Sequence, residues 1–237
     1  MLAKRVIPTM LVRGRTLVKG KGFTGDRSIG NVMQAATLHA TRGVDELCIL
    51  DIAATKEGRG PDLSMVEELS AGCFIPITVG GGVKTLADID ALLRAGADKI
   101  AIGAAAQADH VLVVLAAQRF GSQAIVVSVD VPAGCPLALA VEAAKVNEDA
   151  GAGEILLQSI ERDGMLCGYD LDLIRAVSEA VDIPVIASGG CGTYEHMHEA
   201  IKAGADAVAA GAMFQFTDAT PRKAAQYLKA KGVEVRL

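Results

Sequence analysis

Short apolar and β-branched runs alternate along this chain with longer stretches in which apolar residues recur every three or four positions. The short runs read as strands buried on both faces, and the longer ones as amphipathic helices. Strands are expected near 5–12, 46–52, 76–80, 98–103, 124–130, 153–159, 184–188 and 207–211. Helices are expected near 30–42, 62–72, 85–95, 106–119, 136–150, 170–180, 193–203 and 219–231. No Pro/Gly/Ser-rich linker separates them. Eight βα units in 237 residues predict an α/β fold, a (β/α)8 TIM barrel occupying 1–237 as a single domain. A doubly wound open sheet is the competing arrangement, but the G-x-G-x-x-G fingerprint expected after its first strand is missing.

The pattern also repeats. Gly43-Val44-Asp45-Glu46-Leu47 recurs as Gly151-Ala152-Gly153-Glu154-Ile155, 108 positions downstream. Ile75 to Gly82 recurs at the same offset as Ile183 to Gly190, and Gly96-Ala97-Asp98 through Gly103 as Gly204-Ala205-Asp206 through Gly211. One constant offset across three motifs implies two half-barrels joined in tandem.

In such a barrel, chemistry gathers in the loops that follow the strands. Gly81 and Gly82 after the third strand, and Gly189 and Gly190 after the seventh, place bare backbone N–H groups near helix starts, a geometry that holds phosphate. Asp163-Gly164 and Gly211-Ala212 complete the second set. Any one such loop alone is more simply a tight turn. Two symmetry-related sets suit a ligand with a phosphate at each end.

Strand parity locates a second feature. With Asp130 facing inward at a strand end, a period of two puts Ser128 and Val126 inward below it, and gives Leu11, Thr9, Ile7 and Arg5 on the first strand. The same count yields Glu46, Cys48 and Leu50, then Lys99, Ala101 and Gly103, then Glu154, Leu156 and Gln158. The lowest layer is then Arg5, Glu46, Lys99 and Glu154, two cations and two anions that can neutralise one another, whereas unpaired burial of any one would be costly. Above it Thr9, Cys48, Ala101 and Ser128 are small and partly polar. That composition fits a narrow conduit, and equally an ordinary core in which small and large residues alternate.

Composition narrows the function classes. The chain is 51% hydrophobic with a formal charge of −5, which fits a well-buried globular protein and gives no basic surface for nucleic acid. No apolar run suggests a secretory signal or a membrane span, so a cytoplasmic location is expected. Cys48, Cys73, Cys135, Cys167 and Cys191 are widely spaced and odd in number, and are expected as buried free thiols. His196-Met197-His198 lies on an expected helix where i and i+2 point apart, so no metal site is expected, nor any cofactor.

These residues carry a family likeness. Met1-Leu2-Ala3-Lys4-Arg5-Val6-Ile7, Asp45-Glu46-Leu47 with Leu50-Asp51-Ile52, Val79-Gly80-Gly81-Gly82, Phe120-Gly121-Ser122-Gln123-Ala124, Gly153-Glu154-Ile155-Leu156-Leu157 with Arg162-Asp163-Gly164, and Ile186-Ala187-Ser188-Gly189-Gly190 closely resemble HisF, the cyclase subunit of imidazole glycerol phosphate synthase. The likeness runs nearly end to end. It implies a barrel that receives ammonia from a HisH-type glutaminase docked on its floor, with Arg5, Glu46, Lys99 and Glu154 as a salt-bridged gate and Asp98 and Gln123 at the partner interface. It also implies Asp130 and the loop residue Lys19 as catalytic, while Asp51 and Gln158 are expected as substrate contacts around the acceptor of a sugar-modifying relative. The top face departs from the family pattern. Leu11 stands where the family has a second aspartate, Gly103-Ala104 replaces an Asn-Thr pair, Ala101 a serine and Gln158 a threonine, and Val131 to Pro136 is a shortened segment.

Three functional expectations follow. In the first, the chain is an ammonia-using cyclase acting on the two-phosphate nucleotide PRFAR to give imidazole glycerol phosphate and AICAR. In the second, suggested by the likeness of Glu57 to Asp62 and Pro8 to Leu11 to a surface-sugar paralogue, it supplies ammonia for turning an acetamido group into an acetamidino group with a separate amidotransferase. In the third it is a non-catalytic ammonia channel and docking subunit.

Overall fold

The structure, a computed structural model, describes residues 3–236; Met1 and Leu2 of the opening motif, and Leu237, lie outside the described residues. Eight parallel strands close into a barrel: β1 (Arg5–Arg13), β4 (Leu47–Asp51), β5 (Ile77–Gly80), β6 (Lys99–Ile102), β7 (Ile125–Val131), β8 (Glu154–Ser159), β9 (Val185–Ser188) and β10 (Ala207–Ala210). Closure is made by β10 pairing in parallel with β1, from Arg5 opposite Ala207 to Pro8 opposite Ala210. The eight expected strands are therefore present, with ends shifted by a residue or so.

Helices α1 (Val32–Thr41), α2 (Leu63–Gly72), α3 (Leu86–Arg94), α6 (Leu137–Asp149), α7 (Leu171–Ser178), α8 (Tyr194–Lys202) and α10 (Pro221–Ala230) wrap the outside. Six of these seven starts are set by side chains that accept from otherwise unpaired backbone N–H groups, those of Asn31, Asp62, Thr85, Asp170, Thr193 and Thr220, while α6 follows Pro136 without a side-chain cap. The helix expected over 106–119 is two, α4 (Ala104–Ala108) and α5 (Val111–Phe120), because Asp109 is extended and its carboxylate accepts from Val111 N–H. A further short helix, α9 (Ala212–Phe216), precedes α10.

The largest correction concerns residues 13–31, expected as a basic loop followed by a helix from 30. They form an antiparallel hairpin, β2 (Thr16–Lys21) and β3 (Thr24–Asn31), hung on the end of β1. Only Leu17 and Val18 anchor it in the core, with Lys19 the other buried position.

The burial pattern separates the barrel into two apolar layers. One packs strands against helices and contains most of the buried aliphatics. The other is the interior, where Ile7, Val126, Leu156 and Ile186 alternate with Cys48, Ala101, Ala207 and Ala209. The parity assignment holds on β1, β4, β6, β7 and β8. The interior is bulky on β1, β7, β8 and β9, small on β6 and β10, and mixed on β4, where Leu50 stands above Cys48, so small side chains do not ring the axis.

The tandem repeat is visible in hydrogen bonds. Asp98 accepts from Ile77 N–H at 2.8 Å, and its counterpart Asp206 accepts from Val185 N–H at 3.1 Å. Cys48, Cys73 and Cys191 are buried as expected, but Cys135 is half-buried and Cys167 exposed, both on loops with too little packing above them. On α8, Met197 points into the core while His196 accepts from Gly192 N–H and His198 faces Glu195, so the two imidazoles do diverge. No helix among the described residues is long and apolar enough to cross a membrane.

Candidate active site

At the N-terminal ends of the strands, four charged side chains converge. Arg5 Nη1 lies 2.7 Å from Glu46 Oε2, and Arg5 Nη2 lies 2.9 Å from Glu154 Oε1. Lys99 Nζ sits 3.1 Å from each of the same two carboxylates. Thr78 Oγ1 donates to the remaining oxygen of Glu46, which is 3% exposed. Burial works against the Arg5 charge, and the two carboxylates more than offset it, holding the guanidinium above its ordinary value. Just above, burial together with Glu46 pushes the Cys48 thiol far up, so it stays neutral. Asp98 and Gln123 are exposed on this same face; Asp98 uses one oxygen on Ile77, and Gln123 reaches the Phe120 carbonyl. Phe74, on the same face and 93% exposed, carries no signal in the sequence, because a lone apolar position after a helix has no periodicity.

The opposite end opens into a cavity of about 500 Å³ lined by Leu11, Leu50, Gly81, Gly82, Gly103 and Asp130, among others. Asp130 is the one carboxylate of its wall with no cationic partner among the described residues. Ser128 Oγ donates to it at 2.7 Å, and Gln158, its register partner on β8, is held by a 2.9 Å bond from Ser188 Oγ to the Gln158 amide oxygen. Burial raises the Asp130 carboxyl above its usual range, and the Ser128 and Gln158 hydrogen bonds only partly oppose this. An acid displaced toward neutrality is better matched to proton transfer. Leu11 faces the same cavity and offers no second proton carrier.

Asp51 lines the wall too, but its contacts make it a loop organiser. One oxygen accepts from Ala53 and Ala54 N–H, and the other pairs with Arg59 Nη2 at 2.8 Å. Gly81 (φ +108°) presses against this loop so closely that a Cβ there would sit 2.3 Å from the Asp51 carbonyl oxygen. Its repeat partner Gly189 (φ +94°) meets the Ser159 carbonyl in the same way at 2.5 Å. Both glycines are thus demanded by close backbone packing, whatever they bind.

The second glycine set is closed. Lys19, Asp163, Gly164, Gly189, Gly190, Gly211 and Ala212 enclose only about 20 Å³. Lys19, 5% exposed, reaches in from the hairpin to bond Asp163 at 2.6 Å, and Gly22 N–H donates to the Asp163 carbonyl at 2.9 Å. The hairpin therefore lies over this half of the mouth.

A sequence profile of the family described as histidine biosynthesis protein matches residues 5–220. The imidazole glycerol phosphate synthase subunit HisF of Pyrobaculum aerophilum is 44% identical, in an alignment covering 100% of this chain and 99% of that protein. The chain belongs to the HisF family. In this barrel the four charges expected as a gate meet at the N-terminal ends of the strands, and Asp130, Leu11, Gly103 and Ala104 all line the wall of the open cavity at the other end. Among the described residues no group of three or more His, Cys, Asp or Glu side chains is arranged to hold a metal ion.

Proposed function

We propose that this chain is the ammonia-using cyclase subunit of a HisF-type synthase, fed through its floor by a HisH-type glutaminase and acting on a small phosphorylated substrate at Asp130. One observation carries the reading: a mutually neutralised ring of four charges lies at one end of the barrel axis, and a single pKa-raised carboxylate waits at the other. Ammonia is neutral and small, so it passes a gate that excludes ions once the ring's ion pairs part. Arg5, Glu46, Lys99 and Glu154 form that gate. Exposed Asp98, Gln123 and Phe74 offer the docking face, Phe74 as an apolar anchor that a partner would bury.

At the mouth, Asp130 takes the proton released as ammonia attacks an electrophilic carbon, and returns one to the leaving group; Ser128 and Gln158 hold its carboxylate in place. Lys19 closes the hairpin over the substrate, and the turns at Gly81-Gly82 and Gly189-Gly190, with Gly103, Asp163, Gly164, Gly211 and Ala212, receive its phosphates. In the histidine pathway the reaction converts PRFAR to imidazole glycerol phosphate and AICAR. Leu11 favours a second reading, in which Asp130 and Gln158 serve a different acceptor, an acetamido sugar handled with a separate amidotransferase.

One assay separates them. Purified protein is mixed with PRFAR and an ammonium salt at high pH, and AICAR release is followed. Turnover supports the cyclase reading. No turnover, restored by Leu11→Asp, supports a site diverged toward another acceptor; no turnover in either form leaves the second reading and a docking and channel role.

A further inference from the structure

The charges around the mouth can be paired off one by one. Of the four aspartates lining the open cavity, Asp26 is held by Arg13 at 2.9 Å, Asp51 by Arg59 at 2.8 Å and Asp163 by Lys19 at 2.6 Å. Arg59 also bonds Glu57 at 2.7 Å. This leaves Asp130 and two cations of the same wall, Lys56 and Lys84, neither of which pairs with a carboxylate among the described residues. Free charge facing the cavity is therefore two positive and one negative, which reverses the impression given by four aspartates.

The two lysines sit on adjoining loops that the structure ties together. Lys56 is in the turn after β4, closed by Gly58 N–H to the Thr55 carbonyl and Arg59 N–H to the Ala54 carbonyl. Lys84 is in the turn after β5, its own N–H fixed by Asp88 in the cap of α3. Gly82 N–H reaches Thr55 Oγ1 at 3.4 Å across the gap between the loops. On the neighbouring strand, Gly103 and Ala104 contribute no side-chain donor and no charge to the wall, so an anion there has only backbone N–H groups to bind.

We propose that Lys56 and Lys84 form the anion-recognising rim of the open cavity, so that the ligand places a phosphate ester at the β4–β5 side and its reacting group at Asp130 on β7. The proposal rests on reading this cavity as the substrate site. It supplies, from two flexible lysines, the positive charge that the bare loop at 103–104 does not. Lysine acts here as a point charge and not as a planar fork, which suits a phosphate whose orientation varies.

Titration calorimetry on the full chain with inorganic phosphate and with pyrophosphate tests it. Lys56→Gln and Lys84→Gln are each expected to weaken pyrophosphate binding by about tenfold, the double variant by more, and to flatten its salt dependence. Lys229→Gln, an exposed lysine on α10, serves as the charge-matched control and should change nothing. Equal binding of the two probes points to a monophosphate end, and clearly tighter pyrophosphate to a diphosphate; both support the rim. Wild-type affinity in the double variant, an equal loss in the control, or no binding of either probe at millimolar concentration would overturn it. Because these readouts need no turnover, absence of AICAR release would count against the cyclase reading while leaving the rim to be judged by binding alone.

Discussion

The two ends of this barrel both gather charged groups and treat them in opposite ways. On the floor every charge touches both opposite charges: Arg5 and Lys99 each contact Glu46 and Glu154. At the mouth the aspartates pair off separately, Asp26 with Arg13, Asp51 with Arg59 and Asp163 with Lys19, and three groups are left without an ionic partner among the described residues. A closed ring satisfies its electrostatics internally and can be opened only as a unit, as a gate requires. An unbalanced wall is at its most favourable when something charged arrives. Removing one member of the ring leaves a buried charge short of a partner, whereas removing an unpaired group at the mouth costs the fold little.

That contrast can be broken by mutation. The largest effect is expected from Asp130→Asn, which removes the one unpaired acid of the mouth and should lower ammonium-driven turnover by about 10²–10⁴-fold with little change in unfolding midpoint; a variant with near-normal rate would show that the chemistry lies elsewhere. On the floor, Glu46→Ala takes an acceptor from Arg5, Lys99 and Thr78 together and should cost about 3 kcal/mol in urea unfolding. A cost near zero would mean that the ring is solvated. The ends should also differ with pH. Because burial raises Asp130, and it works as a base, ammonium-driven rate corrected for free ammonia should be retained above its raised pKa and fall as pH drops through it, at higher pH than an ordinary carboxylate would give. Arg5 of the ring should add no such step, since its guanidinium is held charged. Smallest is Thr9→Val, midway along the axis, where the Thr9 hydroxyl is buried without a partner. Stability should be unchanged or rise by about 1 kcal/mol, and a loss of that size or more would reveal a hydrogen bond that holds Thr9 in place.

How much of this is legible in the sequence follows from what each feature depends on. The floor quartet needs only the period of two along each strand and a common starting level, both of which are local, so residue order alone places Arg5, Glu46, Lys99 and Glu154 in one layer. The glycine turns are legible as turns because their positive φ leaves few alternatives. The hairpin at 16–31 is not, since its residues are mostly exposed and polar and only Leu17 and Val18 mark it. Asp51 is expected as a substrate contact only through resemblance; its commitment to Arg59 depends on a turn eight residues later folding back. Lys56 and Lys84 look like ordinary loop lysines, and only the pairing of every other cation around the mouth sets them apart.

The most direct measurement is the ratio of glutamine-driven to ammonium-driven product formation by the chain mixed with a HisH-type glutaminase, in wild type and in Lys99→Ala. If ammonia enters through the ring of charges, opening the ring changes the glutamine-driven rate severalfold and leaves the ammonium-driven rate within about twofold, since ammonium salts supply the cavity from solvent. Equal loss of both rates would contradict the gate and, with it, the path from floor to Asp130.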